Sequence, residues 1–529
     1  MSLPLTLGEY VAPPQAGPAE ATAALIAIAA FLIISTGLGL WMLRKARTYD
    51  EWLVGHRDIG PIITAFALVA TWLSGWAIFG NAGLGYTYGM SGSWLIGVHN
   101  IIGIALCLTL GYRMRRYAAL GARSVPEVLK LRFDSRACQA WASIIMIILL
   151  IVYSVGQFKA MATVWRCYIG AGWIESLVAV AILVFIYMAV GGYAGTQWAL
   201  GFQGMTLTAI SWIIGIIAIA KVSPDFVERS LAAQTFVAAD GRVTPYAIGS
   251  YILPIAPAYP GYDLVGAAAV VFMFLFMATG FPHNIARFLG VRKVTKREMW
   301  IMAIAIIIGS LSPLWVGQLG LIGRAIWGPE LMYPQYMPMY GDAAGALAPI
   351  FAAGPAGAGL FAACVFAAAV STLAAMVMIM AVNITRDLIH NLRPQTSPRL
   401  LLWLSRALLP VFLFIPLYWN VTSPPPVLAE FMAGSAVGQA GIFFFNVAVS
   451  MHWKRATKIG SLASMTYGFI VTLLHPAAYG KYVGLTHWGY WALLLIFGCA
   501  AVYFVVSLVT KPLPEDKLAK LFPPKPTAS

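Results

Sequence analysis

The chain has 529 residues, 60% of them hydrophobic and 10% charged, with a mean hydropathy of +0.80; soluble domains carry about 25% charged residues, so a soluble globular protein is excluded. The formal net charge of +15 comes from basic residues grouped in short segments between apolar runs, which is the pattern of a polytopic membrane protein and excludes a nucleic-acid binder. Five cysteines, Cys107, Cys138, Cys167, Cys364 and Cys499, show neither metal-ligand spacing nor a disulfide framework, and most lie in apolar runs where a thiol acts as a small hydrophobe.

Residues 1–22 contain no Lys or Arg and the first apolar run, 23–43, is followed directly by Arg44, Lys45 and Arg47, so a retained first helix with the N-terminus outside is expected. Hydropathy then places about thirteen spans, near 23–43, 61–88, 92–112, 137–163, 173–193, 202–221, 262–282, 299–323, 358–385, 400–420, 428–450, 459–475 and 487–510. An odd number leaves the C-terminus inside. The loops agree: expected inner segments carry Arg113, Arg115, Arg116, Arg123, Lys130, Arg132 and Arg136, then Arg287, Arg292, Lys293, Lys296 and Arg297, then Lys454, Arg455 and Lys458, whereas outer ones hold chiefly Lys221, Arg229, Arg242, Arg324 and Lys481. The long outer loop 222–261 reads as a cap or gate, and the final PPKPTAS as disordered.

Two spans are interrupted. The run TWLSGWAIFGNAGLGYTYG (71–89) is crowded with glycine, and the seventh span meets Gly280, Pro282, His283 and Asn284. The second break comes five helices after the first, an odd number, so the two stretches enter the membrane from opposite sides, the pattern of two inverted five-helix repeats. Between 362 and 387 a third stretch carries adjacent hydroxyls, Ser371 and Thr372, among alanines. Hydroxyls and freed carbonyls are hard donors suited to a small cation such as sodium; the alternative is a small-residue packing seam whose hydroxyls bond back to the preceding turn.

SVPEVLKLRF (124–133), GGYAGTQWALGFQG (191–204), GFPHNIARF (280–288) and VSTLAAM with its trailing TRD (370–387) together resemble the sodium:solute symporter family, in order from about residue 45 to 450. The resemblance implies an all-α LeuT-type fold: an outer segment (1–22) and extra helix (23–43), a first repeat (61–221), the outer loop (222–261), a second repeat (262–450), two further helices (459–510) and a cytoplasmic tail (511–529). It implies a co-transported sodium ion held by the carbonyls of Ala70, Leu73 and Ala368 and the hydroxyls of Ser371 and Thr372. The break Ser74-Gly75-Trp76 resembles that of the proline-transporting branch, where amides opening a half-helix would receive a carboxylate. Trp76 and Ala77 stand where sugar carriers place polar and acidic side chains, which disfavours sugar. Asn81 and Gln439 either line the cavity or bond neighbouring helices. Trp72 and Ala199-Leu200 depart from the family by removing acidic or polar residues from the cation route.

Lys159 lies beside Gln157 in the fourth span, and an ionisable group there marks function unless it snorkels to the outer interface. It either anchors a substrate carboxylate or acts as a tethered cation that relieves the need for sodium. His283 and Arg287 are read as caps or gate partners at the inner helix end, and Asp387 with Arg406 as an inner ion pair. The expected function is sodium-coupled import of a small organic anion through a bacterial inner membrane. A short monocarboxylate of the acetate, pyruvate or lactate type comes first, proline or another amino acid second, and a proton-linked carrier using Lys159 third. A membrane sensor is less favoured. No paired carboxylates or His/Cys cluster within the bilayer offer enzyme chemistry, and no obligatory protein partner is implied.

Overall fold

The computed structural model describes residues 10–43, 59–99, 103–237, 243–244, 248–256, 263–292, 295–425, 428–474 and 488–522. Residues 1–9, Arg44, Lys45, Arg47, Arg242, Lys293, Lys481 and the PPKPTAS tail lie outside them. The described chain is helical apart from an isolated bridge and one hairpin, β1 (Phe236–Val237) against β2 (Val243–Thr244).

Helix α1 (Pro18–Leu43) starts earlier than expected, with proline in its first turn, where a missing amide costs nothing. The second span is broken: α2 (Pro61–Trp72) and α3 (Asn81–His99, entered by a wide turn at Trp76–Gly80) meet at a bend of 63°. Next come α4 (Gly103–Ala119), α5 (Val125–Phe133) and α6 (Arg136–Ile169). The backbone of α7 is helical from Trp173 to Lys221, yet Gln203 Nε2 donates to the Tyr187 hydroxyl at 3.0 Å. A straight helix would hold those residues about 24 Å apart, so the chain turns back between them and α7 has two limbs.

The stretch after α7, expected as an outer loop, contains α8 (Pro224–Ala232), the hairpin and a turn at Ser250–Ile252. The second broken span is α9 (Leu264–Gly280), which stops at Phe281 before a short turn, Pro282–Ile285. There follow α10 (Lys296–Ser310), α11 (Ser312–Trp327), α12 (Ala343–Val382), α13 (Pro398–Thr422), α14 (Leu428–Phe443), α15 (Lys458–Leu473), α16 (Trp488–Val509) and α17 (Glu515–Leu521). Among the described residues nine helices are long and apolar enough to cross a membrane, ten if α2 and α3 form one span.

The expected span 358–385 covers only part of α12. Ala353 and Gly354 leave helical geometry, Gly354 with φ 56° and Pro355 after it, because glycine tolerates that conformation and proline cannot donate to the preceding turn. The limb Ala343–Ala352 was hidden by alanine-rich sequence on both sides of the break. Beyond it, residues 361–382 are all buried, with α1, α2, α6 and α7 packed around them.

Helix α11 packs closely on α3, where a Cβ at Gly320 would lie 1.9 Å from the Ala82 carbonyl. Alanine normally favours a helix over glycine by about 1 kcal/mol; here Gly320→Ala forces the backbones apart and is expected to destabilise by roughly 1–3 kcal/mol. Thermal unfolding in detergent checks the sign. Arg324, counted from sequence among the basic residues of outer segments, is buried: its Nε donates to Gln234 Oε1 (2.7 Å) and its guanidinium lies 4.5 Å from the Tyr251 ring, fastening the stretch after α7.

Candidate functional site

The site begins where α2 stops. The Ser74 amide bonds the Trp72 carbonyl (2.9 Å), the Gly75 amide bonds Gln157 Oε1 of α6 (2.9 Å), and the Trp76 amide turns to Ser74 Oγ (3.2 Å). The Ala70 and Thr71 carbonyls thereby lose the amides that would pair with them in a continuous helix. Gly75 permits the approach to α6, since a Cβ there would meet Ala160 Cβ at 2.9 Å and Gln157 Oε1 at 3.0 Å.

From α12, Ser371 Oγ donates to Ala70 O (2.8 Å) and Ala368 O (2.9 Å). Thr372 Oγ1 lies 3.0 Å from Ala368 O, 3.3 Å from Ala70 O and 3.4 Å from Thr71 O. The hydroxyls thus bond back within their own helix and also reach the broken one. Four of the five expected oxygens converge in this way; the Leu73 carbonyl takes part in none of these bonds, and Thr71 O joins instead. All these residues are buried. The donor set is neutral and sits at the C-terminal, electronegative end of α2, which suits a monovalent cation.

On the far side of the break, Ser74 Oγ and the Tyr153 hydroxyl are 2.9 Å apart. Trp76 stacks on Phe274 (5.5 Å) and meets Tyr153 edge-on (6.4 Å); Phe281 and His283 close the cluster, His283 lying 4.8 Å from Phe281 and 6.0 Å from Tyr153 between ring centres. The indole Nε1 of Trp76, both ring nitrogens of His283 and Gln439 Oε1 are buried without a hydrogen-bond partner among the described residues. Groups left so are available to a polar solute, since orphaned buried donors and acceptors are costly. The cluster is inaccessible to solvent. Tyr153 and Phe274 gave no sign in the sequence because tyrosine and phenylalanine are ordinary in apolar helices.

Several readings need correction. His283, expected as an end cap, sits in this aromatic cluster because the helix stops at Phe281 and turns it inward. Asn81, left open between lining the cavity and bonding neighbouring helices, does the latter: it bonds the carbonyls of Ser93 (3.1 Å) and Pro313 (2.6 Å) and ties α3 to the start of α11. Asp387 does not pair with Arg406, whose guanidinium lies over Trp403. Its Oδ1 instead accepts from Ser124 Oγ (2.7 Å) and Gln139 Nε2 (2.8 Å), while neighbouring Arg386 pairs with Glu127 (2.8 Å); the SVPE and TRD motifs thus meet. Lys159 does not snorkel. It is wholly buried, with Nζ 2.7 Å from Asp342 Oδ2 and 2.7 Å from the Pro425 carbonyl. A carboxylate 183 residues away has no sequence signature linking it to Lys159.

The whole architecture resembles that of a sodium-coupled sialic acid symporter in a substrate-bound outward-open state, with a TM-score of 0.68 and 18% identity over 94% of this chain and 99% of that one. A nucleobase-cation-symport-1 family transporter in a closed conformation matches at 0.51 with 15% identity, over 88% and 97%. These likenesses define the class as an all-α polytopic membrane protein of LeuT-type fold. The sodium:solute symporter family model matches residues 52–468, and the chain belongs to that family. Relatives include the sodium/pantothenate symporter of Escherichia coli, 24% identical over 87% of this chain and 92% of that protein. The osmoregulated proline transporter of Bacillus subtilis is 22% identical over 85% and 88%, and the sodium/proline symporter of Staphylococcus aureus 22% over 85% and 85%. The protein is accordingly a transporter, with sodium as its co-transported ion and a small molecule as its solute.

Proposed function

We propose that the protein imports a small carboxylate together with sodium across a bacterial inner membrane by alternating access. In this reading the N-terminus is outside, the C-terminus inside, and the two inverted repeats span 61–221 and 262–450. Sodium is held by the carbonyls of Ala70, Leu73 and Ala368 and the hydroxyls of Ser371 and Thr372, with Thr71 O beside them. The observation that carries the proposal is the convergence of that hydroxyl pair on carbonyls released by the break in α2.

The solute lies beyond the break, against Ser74, Gly75 and Trp76, with Tyr153, Gln157, His283 and Gln439 around it. The positive end of the half-helix that opens at Gly75 favours a carboxylate. A short monocarboxylate of the acetate, pyruvate or lactate type remains the first choice and proline the second. Pantothenate and proline, named for the relatives, also carry one carboxylate each. With the pair to Asp342 formed, Lys159 is not free to anchor a carboxylate.

Uptake of labelled pyruvate, proline and pantothenate into proteoliposomes, with and without an inward sodium gradient, tests this. Accumulation of one of them is expected to rise about tenfold or more with a gradient worth at least ~1.4 kcal/mol. Uptake of that solute at the same rate without sodium would overturn the proposal.

A further inference from the structure

The contact between Lys159 and Asp342 joins parts of the chain that are remote in sequence. Both side chains are essentially inaccessible, 0% and 1% exposed; every other ion pair among the described residues is at least partly exposed. Asp342 Oδ2 also accepts the Leu428 amide that opens α14 (3.1 Å), and Lys159 Nζ also donates to the Pro425 carbonyl just before it. A Cβ at Gly83 would fall within 3.2 Å of three Asp342 atoms, so α3 presses on the pair from another side. One carboxylate oxygen therefore fastens α6, α14 and the turn before α12 together, beside α3.

The position bears on transport. Gly83 is one turn beyond Phe79 and Gly80, against which Gly345, Ala429 and Leu428 pack. The pair thus stands over the half-helix that begins at the break, on the side assigned to the outside by the basic-residue distribution. Asp342 also belongs to a segment with Gly328 before it and Gly354 after it, both at positive φ, where the backbone can change direction with little steric cost.

We propose that Lys159 and Asp342 form an ionic latch that closes the outer side of the transport path and separates when the protein opens outward. The energetics suit a switch: burying two charges roughly cancels their mutual attraction, so a paired, dry state and a separated, hydrated state are close in free energy. Removing one partner breaks that balance, because the survivor is stable only when wetted. The latch rests on the transport reading for its purpose, but its test needs neither a solute nor sodium.

The test uses Ala429→Cys, placed beneath the pair, in a background lacking the native cysteines. A membrane-impermeant maleimide is applied from outside to right-side-out vesicles. Protection is expected in the otherwise unaltered chain, and labelling about tenfold faster or more in Lys159→Met and in Asp342→Asn, as the equilibrium moves to the open state. The doubly neutral Lys159→Met/Asp342→Asn leaves no buried charge to demand water, and is expected to regain protection and label several-fold more slowly than either single variant. Unchanged protection in the folded single variants, or labelling of the double variant as fast as theirs, would overturn the latch, whatever is found for solute or ion.

Discussion

Substituting Ser371 and Thr372 together by alanine is expected to raise the sodium concentration for half-maximal uptake by about tenfold to a hundredfold. In the proposed site each hydroxyl is one oxygen donor to the ion, and a hydrogen bond to a charged group contributes about 1.5–3 kcal/mol; tenfold corresponds to about 1.4 kcal/mol. Two losses would exceed a hundredfold if nothing replaced them, but water entering the vacated space restores part of the coordination, which sets the lower end. The substitution also orphans Ala70 O, which now accepts from Ser371 at 2.8 Å. Stability is therefore expected to fall by about 1–3 kcal/mol even without sodium. Uptake kinetics over a range of sodium concentrations separates the effects, because misfolding lowers the maximal rate while loss of the site moves the midpoint. An unmoved midpoint in a folded variant would remove these hydroxyls from the ion site.

Gln157 gives the second large effect, on the solute. Its Oε1 accepts the Gly75 amide at 2.9 Å in a fully buried setting, so it fixes the direction of the half-helix that is to meet the carboxylate. Gln157→Ala leaves that amide unpaired at a cost of about 1–3 kcal/mol, and kcat/KM for uptake is expected to fall about tenfold or more. Gln157→Glu keeps an acceptor but buries a negative charge beside the break. For an anionic solute it is expected to be more damaging than alanine; a milder effect of glutamate would contradict a carboxylate. Since ion and solute share the broken helix, either change is expected to raise the sodium midpoint too, by an amount set by a coupling of ~1–3 kcal/mol.

What could be read from the sequence depended on whether a feature was local. The break at Ser74-Gly75 and the hydroxyl pair at 371–372 announce themselves by composition, since glycine and adjacent hydroxyls are out of place in an apolar run. The sequence does not show that Gly75 is held by Gln157, or that Tyr153 reaches Ser74, because those contacts depend on how α6 docks. Asp342 was invisible for a similar reason: its meaning comes from Lys159, across the fold. The limb Ala343–Ala352 was merged with the span after it because alanine-rich sequence gives hydropathy without boundaries. Hydropathy did mark both limbs of α7, Trp173–Met188 and Gln197–Lys221; the bond between Tyr187 and Gln203 establishes the turn between them.

The central claim is that an ion sits between the end of α2 and the buried limb of α12. Binding of radioactive sodium to the purified protein in detergent, without solute, tests it most directly. Saturable binding displaced by unlabelled sodium and not by potassium is expected in the unaltered chain, and its loss in folded Ser371→Ala/Thr372→Ala. Equal, saturable binding in both proteins would contradict the account.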